Sequence, residues 1–95
     1  MNVESVAEVL KLYVVRELLD GDGRELTLTT PLLEWGVINS IEIARLVAFI
    51  KSEFGASIPG EKVIAANFRD LLSIARLVAI ESAESTPAVA ARSAQ

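Results

Sequence analysis

The chain has 95 residues, 52% of them apolar, with one Trp, one Tyr and three Phe, which fits one small domain with an aliphatic core. It has no cysteine and no histidine, which excludes cysteine nucleophiles, disulfides, Ser-His-Asp triads and the usual zinc sites. A formal charge of −4 without a basic stripe argues against nucleic-acid binding, and short apolar runs argue against a secretion signal or a membrane span.

The first predicted element is a helix over 3–19. Val3, Val6, Ala7, Leu10, Val14 and Leu18 recur at the spacing that makes one helical face. Gly21-Asp22-Gly23 stops it. Residues 21–39 form a long connection, rich in apolar residues (Leu26, Leu28, Leu32, Leu33, Trp35, Val37, Ile38). It is expected to lie across the helices, with Pro31 opening a short helical turn and Trp35 serving as a packing anchor. Asp20-Gly21-Asp22-Gly23 only faintly resembles a calcium loop, because Arg24 and Pro31 stand where oxygen ligands are needed; no metal site is expected.

A second helix is predicted over 40–54, with Ile43, Leu46, Val47, Ile50 and Phe54 facing inward and Gly55 ending it. Ile58-Pro59-Gly60 leads into a short helical turn near 61–65. A last helix follows over about 68–82, capped by Asn67, with Phe68, Leu71, Leu72, Ala75 and Val78 buried. The segment 84–95 is Ala, Ser, Thr and Pro with little periodicity and is expected as a disordered tail behind a domain of residues 1–83.

Acidity is uneven. Residues 1–39 hold seven acids and three bases, whereas 40–66 and 67–95 each hold three of either sign. All the net charge therefore precedes Ser40.

The informative stretch is Gly36-Val37-Ile38-Asn39-Ser40-Ile41-Glu42-Ile43. Asn39 and Glu42 have the spacing of a capping box, so Asn39 and Ser40 could be a helix start and nothing more. A helix start also has unpaired N–H groups and the positive end of a dipole, so it tolerates a phosphate. Beyond the inward stripe of this helix, Ile41, Ala44 and Ala48 lie together beside Arg45. They form either a wider buried face or a docking surface for partner enzymes.

The stretch Pro31-Leu32-Leu33-Glu34-Trp35-Gly36-Val37-Ile38-Asn39-Ser40-Ile41-Glu42-Ile43, followed by Phe54-Gly55, Ile58-Pro59 and Asn67-Phe68, resembles phosphopantetheine-dependent acyl or peptidyl carrier proteins. The likeness covers about residues 3–80. It implies an all-α, four-helix acyl-carrier-like bundle with a long loop between helices 1 and 2 and a short helix 3. It also implies that Ser40 receives a 4′-phosphopantetheine arm from coenzyme A, through a phosphopantetheinyl transferase, with Asn39 beside the attachment point.

There are departures. The family commonly has Asp where Asn39 stands, and a carboxylate there is one possible contact to the transferase's magnesium. The glycine pair found in modules of large peptide synthetases is replaced by Val37-Ile38, which is similar to discrete carriers. The second helix is charge-balanced rather than acidic, so recognition should rest more on apolar contact than on charge.

A helical domain without disulfides fits the cytoplasm, a monomer is expected, and with no base beside Ser40, no metal site and no nucleotide loop the chain is not expected to be an enzyme. Its partners would be the transferase, an adenylating or acyl-loading enzyme, and downstream synthase or tailoring enzymes of antibiotic or secondary-metabolite biosynthesis. An aminoacyl cargo is expected ahead of a polyketide extender unit or fatty acyl group. An unmodified, carrier-like helical module that binds partners is the alternative.

Overall fold

The computed structural model describes residues 2–93, with side chains through Ser82. Among these residues it is all-helical, with three α-helices and two 3₁₀ turns. The first helix, α1, is Val3–Leu18. It starts at Asn2, whose side-chain oxygen accepts from the N–H of Glu4 at 2.7 Å and of Ser5 at 3.3 Å, satisfying two of the donors a helix start leaves open. Val6, Ala7, Leu10 and Val14 are buried, as their spacing requires. The helix closes through two left-handed residues, Asp20 and Gly21 (φ 53° and 85°), with the Gly21 N–H donating to the Val15 carbonyl at 2.8 Å.

The long connection is held at Leu26, Leu32 and Ile38, all buried. As expected, Pro31 opens a single turn: its carbonyl accepts from the Trp35 N–H at 3.0 Å. The turn then ends the way longer helices do. Gly36 is left-handed (φ 71°), the Val37 N–H donates to Leu32 at 2.8 Å, and the Gly36 N–H donates to Leu33 at 3.2 Å. Glu34, Trp35 and Gly36 bulge outward between the buried Leu32 and Ile38. Trp35 is therefore 61% exposed, not a packing anchor.

The second helix, α2, is Ser40–Phe54, ended by Gly55 at φ 69°. Leu46 and Ile50 are fully buried and Ile43, Val47 and Phe54 half-buried. Full burial of an aliphatic side chain of this size stabilises by roughly 1.5–3 kcal/mol, so Leu46 and Ile50 are the main apolar anchors of the helix. Where a short third helix was expected there are two 3₁₀ turns, Gly60–Lys62 and Ala65–Phe68.

The last helix, α3, is Leu71–Ser93 and packs mainly on α1. Phe68 is buried but belongs to the preceding 3₁₀ turn. The cap is Asp70 rather than Asn67: the Asp70 carboxylate accepts from the Ser73 N–H at 2.7 Å. Asn67 instead donates its side-chain amide to the Lys62 carbonyl at 2.9 Å, tying the two 3₁₀ turns together. Lys62 forms an ion pair with the buried Glu81, which clamps the first turn to α3. The backbone of α3 is helical to Ser93, across most of the segment 84–95 read as a tail; the side chains of 83–93, and residues 94 and 95 altogether, lie outside the described residues.

Candidate functional site

Asn39 builds the head of α2. Its side-chain oxygen accepts from the Glu42 N–H at 3.1 Å, and its own N–H donates to the Glu42 carboxylate at 2.9 Å. Both halves of the capping box are thus formed. The Asn39 carbonyl accepts the first intrahelical bond, from Ile43, at 2.8 Å.

Ser40 is then the first helical residue and is exposed, and no described side chain engages its hydroxyl. The amides of Ser40 and Ile41 fall in the turn that has no carbonyl behind it, so they lend partial positive charge to this end.

The ambiguity over the outer face of α2 resolves in one direction. Ile41, Ala44, Arg45 and Ala48 are all exposed, Ile41 at 68%. They run along one side of α2 away from Ser40 and are not part of the buried stripe. Arg45 and Lys51 are likewise solvated. Phe49 is half-buried and stacks on Tyr13 of α1 with ring centroids 4.2 Å apart and ring planes 28° from parallel.

Sequence reasoning missed Ile64, Ala65 and Ala66. They are exposed, Ile64 at 51%. Ala65 and Ala66 line a small cleft of about 230 Å³ with Pro31, Leu33, Glu34 and Arg69, close beside the turn that leads to Ser40. Only the run Val63-Ile64-Ala65-Ala66 hints at it, and such a run reads equally well as core.

The faint calcium motif has another role. Asp22 accepts from both the backbone N–H and the guanidinium of Arg24, at 3.1–3.3 Å. That pairing holds its carboxyl below the usual range and satisfies its oxygens locally. No group of side chains suited to holding a metal ion occurs among the described residues. No helix among them is long and apolar enough to cross a membrane.

Comparison with known proteins bears on this geometry directly. The phosphopantetheine attachment site family matches residues 3–78, from the start of α1 well into α3. The chain belongs to the phosphopantetheine-binding carrier family. It is also 33% identical over 66 residues to the "Probable acyl carrier protein PigG" of Serratia sp. (strain ATCC 39006), covering 70% of this chain and 76% of that protein.

As a member of this family it takes a 4′-phosphopantetheine group, and family membership implies dealings with a phosphopantetheinyl transferase and with enzymes of synthesis. The carrier's head of α2 fits such a group. It offers an exposed hydroxyl and unpaired amides suited to a phosphodiester, and no side chain of the core stands over them.

Proposed function

We propose that Ser40 is the attachment point, and that this chain carries an aminoacyl intermediate between enzymes of antibiotic or secondary-metabolite synthesis. The observation that carries the reading is the exposed Ser40 hydroxyl at the first position of α2, inside the family-matched region. In the loading step, Ser40 Oγ forms the new bond to the phosphorus of coenzyme A's pantetheine phosphate. The adenosine bisphosphate half leaves, and the hydroxyl proton passes to a base of the transferase.

When bound, the arm supplies a thiol that holds the cargo as a thioester. The chain's own residues do the rest. Asn39 and Glu42 fix the head of α2 so that Ser40 faces outward. Ile41, Ala44 and Ala48, with Arg45, offer partners a mostly apolar strip beside the attachment point. Tethering raises the local concentration of cargo at each partner's active site.

We read the chain as a carrier that leaves the chemistry to its partners, which its family membership supports. We read the pair of 3₁₀ turns as its counterpart of the family's short third helix. We further read it as a monomer of the cytoplasm.

The aminoacyl cargo rests on Val37-Ile38 ahead of Asn39, similar to discrete carriers. The relative's name, an acyl carrier, makes a polyketide or fatty acyl cargo the second reading.

Incubation with coenzyme A, magnesium and a broad-specificity transferase, followed by peptide mapping, tests the attachment point. One arm on Ser40 is expected, lost in Ser40→Ala. An arm on Ser5, the other exposed serine near a helix start, would contradict it.

A further inference from the structure

A cavity of about 540 Å³ opens beside the turn that leads to Ser40. Its apolar lining comes from Leu19, Leu26 and Val37, and Trp35 contributes a 61% exposed indole. Its charged lining is Asp22, Arg24 and Glu25. Arg24 is committed to Asp22 through two guanidinium contacts, at 3.1 and 3.2 Å. No cation is paired with Glu25 among the described residues, so the pocket keeps one uncompensated negative charge in a lining that includes the exposed indole of Trp35.

Distance along the chain brings this pocket within reach of Ser40. Val37 is three residues from Ser40 and Trp35 is five, so their Cα atoms lie at most ~11 and ~18 Å away at full extension. The folded path is shorter, because Gly36 and Val37 turn back on Leu33 and Leu32. A phosphopantetheine arm is about as long as five extended residues, ~17 Å.

We infer that this pocket receives the cargo end of the loaded arm and favours one bearing a free ammonium group. This rests on the attachment at Ser40 proposed above. An aminoacyl thioester keeps its α-ammonium, which Glu25 attracts and the face of Trp35 accepts. Its short side chain meets Leu26 and Val37. A neutral acyl group of the same size gains only the apolar contact. Exposed Trp35 thereby acquires a use that packing does not give it.

The test uses the full chain, loaded from coenzyme A analogues with two cargoes held by amide rather than thioester links: alanyl and N-acetylalanyl. Intact mass and peptide mapping establish the arm on Ser40 in each. The single tryptophan makes both its fluorescence and its indole N–H resonance unambiguous reporters.

The alanyl form is expected to shift the Trp35 indole and the Glu25 amide, with occupancy about two- to fivefold above that of the acetylated form, the range for one cation over an exposed ring. Glu25→Gln, an exposed substitution, should narrow the difference between the two, and Glu25→Gln with Trp35→Leu, read from the residue 25 amide, should remove it. Equal shifts for both cargoes, or loaded protein with the Trp35 and Glu25 signals unmoved, would overturn the inference and leave the attachment reading intact. A chain that accepts no arm at Ser40 would overturn both.

Discussion

The backbone N–H of Leu32 donates to the carbonyl of Arg69 at 2.8 Å, which ties the turn before Ser40 to the entrance of α3. A second bond, from the Leu72 N–H to the Leu28 carbonyl at 3.0 Å, lies a few residues away on each strand of chain. The long connection is thus fastened at its middle to the last helix. The segment that delivers Ser40 is held by backbone bonds as well as by the buried Leu32 and Ile38. This explains how a connection of such length can present one hydroxyl reproducibly.

The capping box at the head of α2 should be measurable on its own. Asn39→Ala removes the acceptor for the Glu42 N–H and is expected to cost about 1 kcal/mol, within the usual 0.5–2. Asn39→Asp keeps the acceptor and adds charge at the positive helix end, so stability should hold or rise by up to ~1 kcal/mol. The same substitution should speed arm loading if a carboxylate here helps the transferase's magnesium. Urea midpoints and loading time courses on the two variants separate these effects.

Gly23 is a packing constraint. A Cβ built there would overlap the Cγ atoms of Val15, on α1. Gly23→Ala should therefore cost about 1–3 kcal/mol as α1 and the loop part to make room. Gly60, where a Cβ meets nothing within 4 Å, is the control and should tolerate alanine with little change. Parallel thermal melts of the two variants check this.

Asp70 gives the fold a defined acid response. Burial pushes its carboxyl up, but the N–H and hydroxyl of Ser73 and the Arg69 guanidinium together outweigh burial and hold it below the usual carboxylate range. A carboxyl lower in the folded chain than in the unfolded one, where it titrates near ~3.9, stabilises fully above that value. The contribution fades as pH falls towards and through the folded value. Denaturant midpoints should therefore drop between pH 5 and pH 3 more steeply in the native chain than in Asp70→Asn. Equal slopes would show that Asp70 is not a source of the dependence.

The Lys62–Glu81 pair joins the first 3₁₀ turn to α3, with Glu81 buried. Lys62→Met leaves that carboxylate short of its cation and should cost about 1.5–3 kcal/mol, the range for hydrogen bonds to charged groups. Lys62→Met with Glu81→Leu should recover much of the loss, because an apolar pair replaces a buried ionic one at little net cost. Stability measured across the full double-mutant cycle gives the coupling directly.

Much of this was legible in the sequence because it is local. Asn39 and Glu42 meet within one turn, and the inward stripes of α1 and α2 follow from helical spacing alone. Where the sequence misled, a distant contact made the choice. Asn67 and Asp70 are both fair caps three residues apart. Burial of Phe68 and the Leu32–Arg69 bond hold 65–69 out of α3, and so give the role to Asp70. Trp35 looked like core by its apolarity, but Leu32 and Ile38 take the inward positions on either side and leave the indole outside. The outer face of α2 could not be assigned from spacing, because Ile41, Ala44 and Ala48 suit a broad buried stripe as well as a bare one.

The most direct test is fragmentation mass spectrometry on protein purified from the organism that makes it. A phosphopantetheine arm on Ser40, bearing an aminoacyl thioester in some fraction of the molecules, is the predicted result. Protein recovered bare at Ser40 throughout, under conditions where its pathway is active, would contradict the account.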